Sequence, residues 1–104
     1  MVGFSPETTE ALLRFQKEPS SAHLRALMPG FIAYHLSAGT EQPPAVIGDD
    51  AKLIRDLGLD SLALSEMAFK MEDVFGFRVE THEVFGITTF GELLAYLTEK
   101  LQLS

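Results

Sequence analysis

Apolar residues recur along most of this chain with the period of a helix. Leu64, Met67, Ala68, Met71 and Phe75 stand at i, i+3, i+4, i+7 and i+11, which lays one apolar stripe along a helix from Ala63 to Phe75. The opposite face carries Glu66, Lys70, Glu72 and Asp73, and Gly76 is suited to end the helix. A second stripe is formed by Phe90, Leu93, Leu94, Leu97 and Leu101. In front of it, Thr89 with Glu92 three residues on reads as a capping box. Between the two, Thr81 is expected to cap a short turn of helix through Glu83, Val84 and Phe85 up to Gly86.

The N-terminal part is punctuated by proline and glycine. Ser5-Pro6-Glu7 is a helix start, and the segment it opens runs to about Glu18, before Pro19, with Ala11, Leu12 and Phe15 on one narrow stripe. Ser20 or Ser21 caps a second piece through Leu24, Leu27 and Met28, which Pro29-Gly30 either kinks or divides from Phe31–Ser37. From Ala38 to Asp56 the chain reads as a long loop, since Gly39, Pro43-Pro44 and Gly48 interrupt any period. Val46, Ile47, Leu53 and Ile54 are too apolar to be left in water, so the loop is expected to lie pinned across the helices, with Asp50 capping a turn over Ala51–Leu53. No segment alternates as a strand does. The expected fold is all-α: a four-helix bundle of three main helices and one short one, up and down, with a long first loop and an additional N-terminal helix.

The helix with the acidic face begins at a noteworthy place. Gly58 breaks the preceding segment, Asp60 has a good N-cap side chain, and Ser61 falls at the first helical position, where its side chain points into solvent. Unpaired backbone N–H groups and a positive dipole end make that position favourable for a phosphate esterified to Ser61 Oγ.

Asp60-Ser61-Leu62, preceded by Asp56-Leu57-Gly58 and followed by an acidic helix, resembles the signature of the acyl carrier protein family. The resemblance spans roughly Phe31 to Leu101. It divides the chain into an N-terminal helical extension, residues 1–27, packed on the bundle, and an acyl carrier domain, residues 28–104. It implies a covalent 4′-phosphopantetheine arm on Ser61, with Asp60 and Leu62 flanking the attachment site. The arm's terminal thiol then holds an acyl chain as a thioester, and the chain is a carrier, not an enzyme: a phosphoprotein of fatty-acid and lipid metabolism. Glu66, Glu72 and Asp73 stand where the family's partner-recognition acids stand. Met67, Ala68 and Met71 read first as core, and also as the lining of a cleft that admits an acyl chain. The implied partners are a phosphopantetheinyl transferase and acyl-transferring enzymes with basic patches. Within the class, a carrier for polyketide, peptide or another specialised acid stays open; the extension points to a specialised carrier, and the absence of glycine–histidine before the serine points away from a peptidyl one. An interaction module of the same fold without an arm is the reading from a different class.

Composition agrees with this and removes competitors. The 104 residues, 46% apolar and 22% charged, suit one globular domain, and a monomer is expected. With no cysteine, disulfides, thiolate metal sites and cysteine nucleophiles are excluded, so any thiol chemistry needs a prosthetic group. No apolar run approaches the roughly 20 residues of a membrane span, and the N-terminus lacks the features of a signal peptide, so the expected compartment is the cytoplasm. Of the formal charge of −7, residues 49–104 contribute −6, from eleven acids against five bases. That balance argues against nucleic acid or anionic membrane as a partner and for basic protein surfaces, though solubility alone also favours acidity. Gly58-Leu59-Asp60-Ser61-Leu62 differs from the Gly-Asp-Ser-Leu of a lipase family by an inserted leucine. That family also needs an aspartate three residues before a histidine, whereas Ser20, Ile32 and Val79 precede His23, His35 and His82. The three histidines have no ligand-like spacing, and no metal is expected.

Overall fold

The structure, a computed structural model, describes residues 5–36 and 47–103. Five helices follow one another: α1 (Pro6–Lys17), α2 (Ser21–Tyr34), α3 (Ser61–Phe75), α4 (Thr81–Phe85) and α5 (Phe90–Leu101). No strand occurs among the described residues, which meet in β fashion only at one isolated antiparallel bridge, Lys52 with Thr89. No described helix is long and apolar enough to cross a membrane.

Local chemistry sets most of the helix ends. Ser5 Oγ accepts from Thr8 N–H at the head of α1, Ser20 Oγ from His23 N–H at the head of α2, and Thr89 Oγ1 from Glu92 N–H at the head of α5. Glu92 Oε1 in turn accepts from the N–H groups of Thr88 (2.9 Å) and Thr89 (3.0 Å), which holds its carboxyl below the usual carboxylate range. The α4 helix departs from expectation: its N-cap is Glu80, without a side-chain cap bond, and Thr81 is already the first helical residue.

Pro29 lies inside α2 without dividing it. A proline there removes one backbone hydrogen bond, but Pro29 is buried and α2 packs against both α1 and α5, so tertiary contacts hold the helix together across it. The division expected at residue 27 thus falls within one continuous helix, which ends at Tyr34; the last expected helical position, Ser37, lies outside the described residues. Next to Pro29, Gly30 lets α1 approach so closely that a Cβ added to it would stand 2.0 Å from Thr8 Oγ1. Leu12 and Phe15 of α1 belong to the same core cluster as Leu24, Leu27, Met28, Phe31 and Ile32 of α2. Phe15 meets Phe75 of α3 edge-on at 5.5 Å, and Phe75 stacks on Phe31 at 6.0 Å.

Residues 38–46 of the expected loop, with Val46, lie outside the described residues. The remainder is strapped to the start of α5. Leu53 N–H donates to Thr88 O, Phe90 N–H to Ala51 O and Gly91 N–H to Asp49 O, each at 2.9 Å. Asp49 also accepts from Arg25 of α2 at 2.7 Å, tying three elements at one residue. Ile47 and Leu53 are buried as expected, but Ile54 is 58% exposed, because the chain turns there and its side chain points away from the core. Asp50 is not the cap of that turn: Asp56 Oδ2 accepts from Lys52 N–H at 2.8 Å, closing the turn from its far end.

Candidate functional site

Ser61 owes its position to a turn and two apolar anchors. Leu57 N–H donates to Lys52 O (3.0 Å), Gly58 N–H to Ile54 O (3.2 Å) and Leu59 N–H to Leu53 O (3.1 Å), so the chain doubles back before α3. Gly58 makes the reversal at φ 84°, in the left-handed region that favours glycine. On either side of it Leu57 and Leu59 are buried, and after the reversal Ala63 and Leu64 are buried as well. The intervening Asp60, Ser61 and Leu62 are exposed, Leu62 by 67%. Asp60 Oδ1 accepts from Ala63 N–H at 2.7 Å, in extended backbone, as an N-cap does. The first backbone N–H groups of α3 have no intrahelical acceptors. A phosphate on Ser61 Oγ would therefore meet the positive end of a 15-residue helix, with solvent around it and no core side chain in the way. The arrangement fits a phosphoester of serine.

The other residues singled out from the sequence fall into separate places. Met67, Ala68 and Met71 are buried in the hydrophobic cluster, at 0%, 4% and 0% exposure. Glu66 and Asp73 are exposed on the outer face of α3 and line one open depression with Tyr34, His35, Phe69 and Lys70. Glu72 is not with them. Its Oε2 accepts from Val79 N–H at 2.8 Å, which ties the end of α3 to the segment leading into α4, and it borders a second depression with Phe77 and Arg78.

Two residues at this face, Phe69 and Tyr34, went unnoticed in the sequence. Phe69 is 70% exposed and borders both depressions; the signal was its spacing, since Leu62, Glu66, Phe69 and Asp73 fall at i, i+4, i+7 and i+11, off the inner stripe. Tyr34, the last residue of α2, carried no signal of its own, and beside it stands its C-cap His35, one of the three histidines without ligand-like spacing. The ammonium of Lys70 sits 5.5 Å from the Tyr34 ring centroid. His35 is half-buried, and its Nδ1–H donates to Phe31 O at 2.9 Å; burial depresses its pKa below the ordinary value, more than that bond and Glu66 raise it. Between α5 and α4, Tyr96 Oη donates to Glu83 Oε1 (3.1 Å), and burial followed by that bond pushes the phenol up to about 12. Among the described residues, no group of three or more histidine, aspartate or glutamate side chains is placed to hold a metal ion.

Comparison with known proteins adds an independent line. Residues 37–97 match the family described as "Phosphopantetheine attachment site". The span includes Ser61 and begins after α2, so α1 and α2 precede it. An acyl carrier protein of Thermotoga maritima is 38% identical over 55 residues, 53% of this chain and 68% of that protein. An acyl carrier protein of Rhodococcus erythropolis is 34% identical over 59 residues, 57% of this chain and 64% of that protein. A meromycolate extension acyl carrier protein of Mycobacterium tuberculosis is 32% identical over 59 residues, again 57% of this chain but half of the relative's length. No solved structure matches the chain.

Proposed function

The chain belongs to the acyl carrier protein family, and from that premise we propose that Ser61 is its site of 4′-phosphopantetheine attachment and that it presents acyl groups to the enzymes of a fatty-acid or specialised acyl pathway. The observation that carries the reading is the exposed serine at the mouth of α3, set between Leu59 and Ala63 as buried anchors and capped by Asp60. The arm, when attached, supplies the thiol that this cysteine-free chain lacks. The protein's own residues then do three things. The anchored turn holds Ser61 Oγ at a fixed place on a rigid helix, which favours its alignment in a transferase. The Asp60 carboxylate, one of its oxygens accepting from Ala63 N–H, stands next to that hydroxyl in the chain, where it helps to position the transferase's metal and cofactor. Glu66 and Asp73, exposed on the outer face of α3, steer basic enzyme surfaces toward the arm, and Leu62 and Phe69 give those surfaces apolar contact.

The chain itself performs no bond making; it raises the effective concentration of cargo at successive active sites. Met67, Ala68 and Met71 are the inner residues that yield to a cargo chain, being flexible or small. The N-terminal extension, residues 1–27 with α1 and the first half of α2, lies wholly before the matched span and favours a specialised carrier over a housekeeping one. A cytoplasmic monomer is the form we propose for it. The test is an intact mass after co-expression with a phosphopantetheinyl transferase. Wild type gains the mass of the arm and Ser61→Ala does not; an arm on Ser61→Ala, or none on wild type, refutes the assignment.

A further inference from the structure

Glu66, Lys70 and Asp73 follow one another at i, i+4 and i+7, so one line along α3 reads negative, positive, negative. The rises between them are about 6 Å and about 4.5 Å along the axis. Together with Tyr34, His35 and Phe69 they line a single open depression. A lysine on an exposed helix ordinarily spreads its charge over many rotamers. Here the ammonium lies over the Tyr34 ring, 5.5 Å from its centroid, and Tyr34 comes from a different helix. That contact biases the positive charge toward the Tyr34 ring, in the depression that the 70% exposed Phe69 also lines. Glu72 does not extend the line, because its carboxylate is engaged by Val79 N–H.

We propose that Lys70, positioned by Tyr34, determines specificity: the face selects a partner protein presenting a carboxylate flanked by two basic side chains, next to an apolar socket for Phe69, and disfavours one whose docking patch is basic throughout. Discrimination between partners needs a repulsive element as well as attraction, and a cation placed between two acids supplies it. The inference rests on the carrier reading above.

A phosphopantetheinyl transferase with a wholly basic docking patch serves as the probe, with kcat/KM for modification followed by intact mass at low and at physiological salt. Lys70→Glu is modified faster than wild type at low salt, by about threefold to tenfold, with a smaller gain as salt rises. When the basic residues of the transferase patch are changed to glutamate one at a time, at least one variant reverses this preference in favour of wild type. Tyr34→Leu weakens both discriminations and Tyr34→Phe keeps them, an effect that a merely structural role for Tyr34, followed by thermal melts, does not produce. Equal rates for wild type and Lys70→Glu with every transferase overturn the proposal while leaving the carrier reading intact. No arm on wild type with any transferase overturns both.

Discussion

Thr8 of α1 lies directly over Gly30 of α2, so closely that a methyl group at Gly30 would stand 2.0 Å from Thr8 Oγ1 and 3.0 Å from its Cβ. The contact fixes how near the two helices come, and thus how deep Leu12 and Phe15 reach into the core. Gly30→Ala is expected to destabilise the protein by about 1–2 kcal/mol, overpacking outweighing the gain in helix propensity. Thr8→Ala combined with Gly30→Ala removes the closest atom and recovers most of that loss. Urea denaturation of the two single variants and the double one gives the coupling; additive effects would show that the helices do not meet there.

Asp60 has two separable duties. Asp60→Ala is expected to cost about 1 kcal/mol through the lost cap, and Asp60→Asn much less, since asparagine caps as well. Both lower the rate of pantetheinylation, because both remove the charge beside Ser61. Thermal melts and modification rates on the same samples check this, and a wild-type rate for Asp60→Asn would remove the second duty.

The acids of α3 are expected to divide by function. Glu72→Ala leaves Val79 N–H without its 2.8 Å acceptor and costs about 1 kcal/mol. Glu66→Gln with Asp73→Asn changes stability by less than about 0.5 kcal/mol, as surface changes do, but lowers the association rate with partner enzymes. That loss shrinks as salt rises. Stopped-flow binding across a salt series, beside urea melts, separates the two groups.

His35 gives stability a pH dependence of known sign. Burial keeps its folded pKa below the ordinary 6.5, so the unfolded chain takes up the proton first as pH falls. The folded state accordingly loses stability as pH drops below 6.5, and the loss levels off below the folded pKa. In His35→Gln this component disappears, so the difference in melting temperature between wild type and variant should narrow or change sign from pH 7 toward pH 5. A constant difference across that range would mean that His35 titrates alike in both states.

The caps and stripes were legible because each is decided within a few residues. Ser5, Asp60, Gly76 and the Thr89–Glu92 box act on backbone groups up to four positions away, and the row Leu64, Met67, Ala68, Met71 depends only on helical period. What escaped the sequence depends on partners distant along the chain. Pro29 stays within α2 because α1 and α5 pack on that helix. Glu72 looked like a free surface acid because nothing near it in sequence marks Val79 N–H as its target. Ile54 is as apolar as Leu53, and only the turn closed by Asp56 decides which of the two faces inward. At the site, Ser61 and its cap were readable and the contribution of Tyr34 was not, since it arrives from the end of a helix 27 residues earlier.

The strap between residues 49–53 and 88–91 also bears on the order of events during synthesis. The turn that sets Ser61 leans on backbone groups of Thr88, Phe90 and Gly91, which leave the ribosome some thirty residues after the serine itself. A nascent chain that ends before Thr88 has no partner for Leu53 N–H, Ala51 O or Asp49 O. The serine is therefore held in its final setting only once residues 88–91 have been made, and an enzyme that reads that setting acts after the start of α5 has emerged.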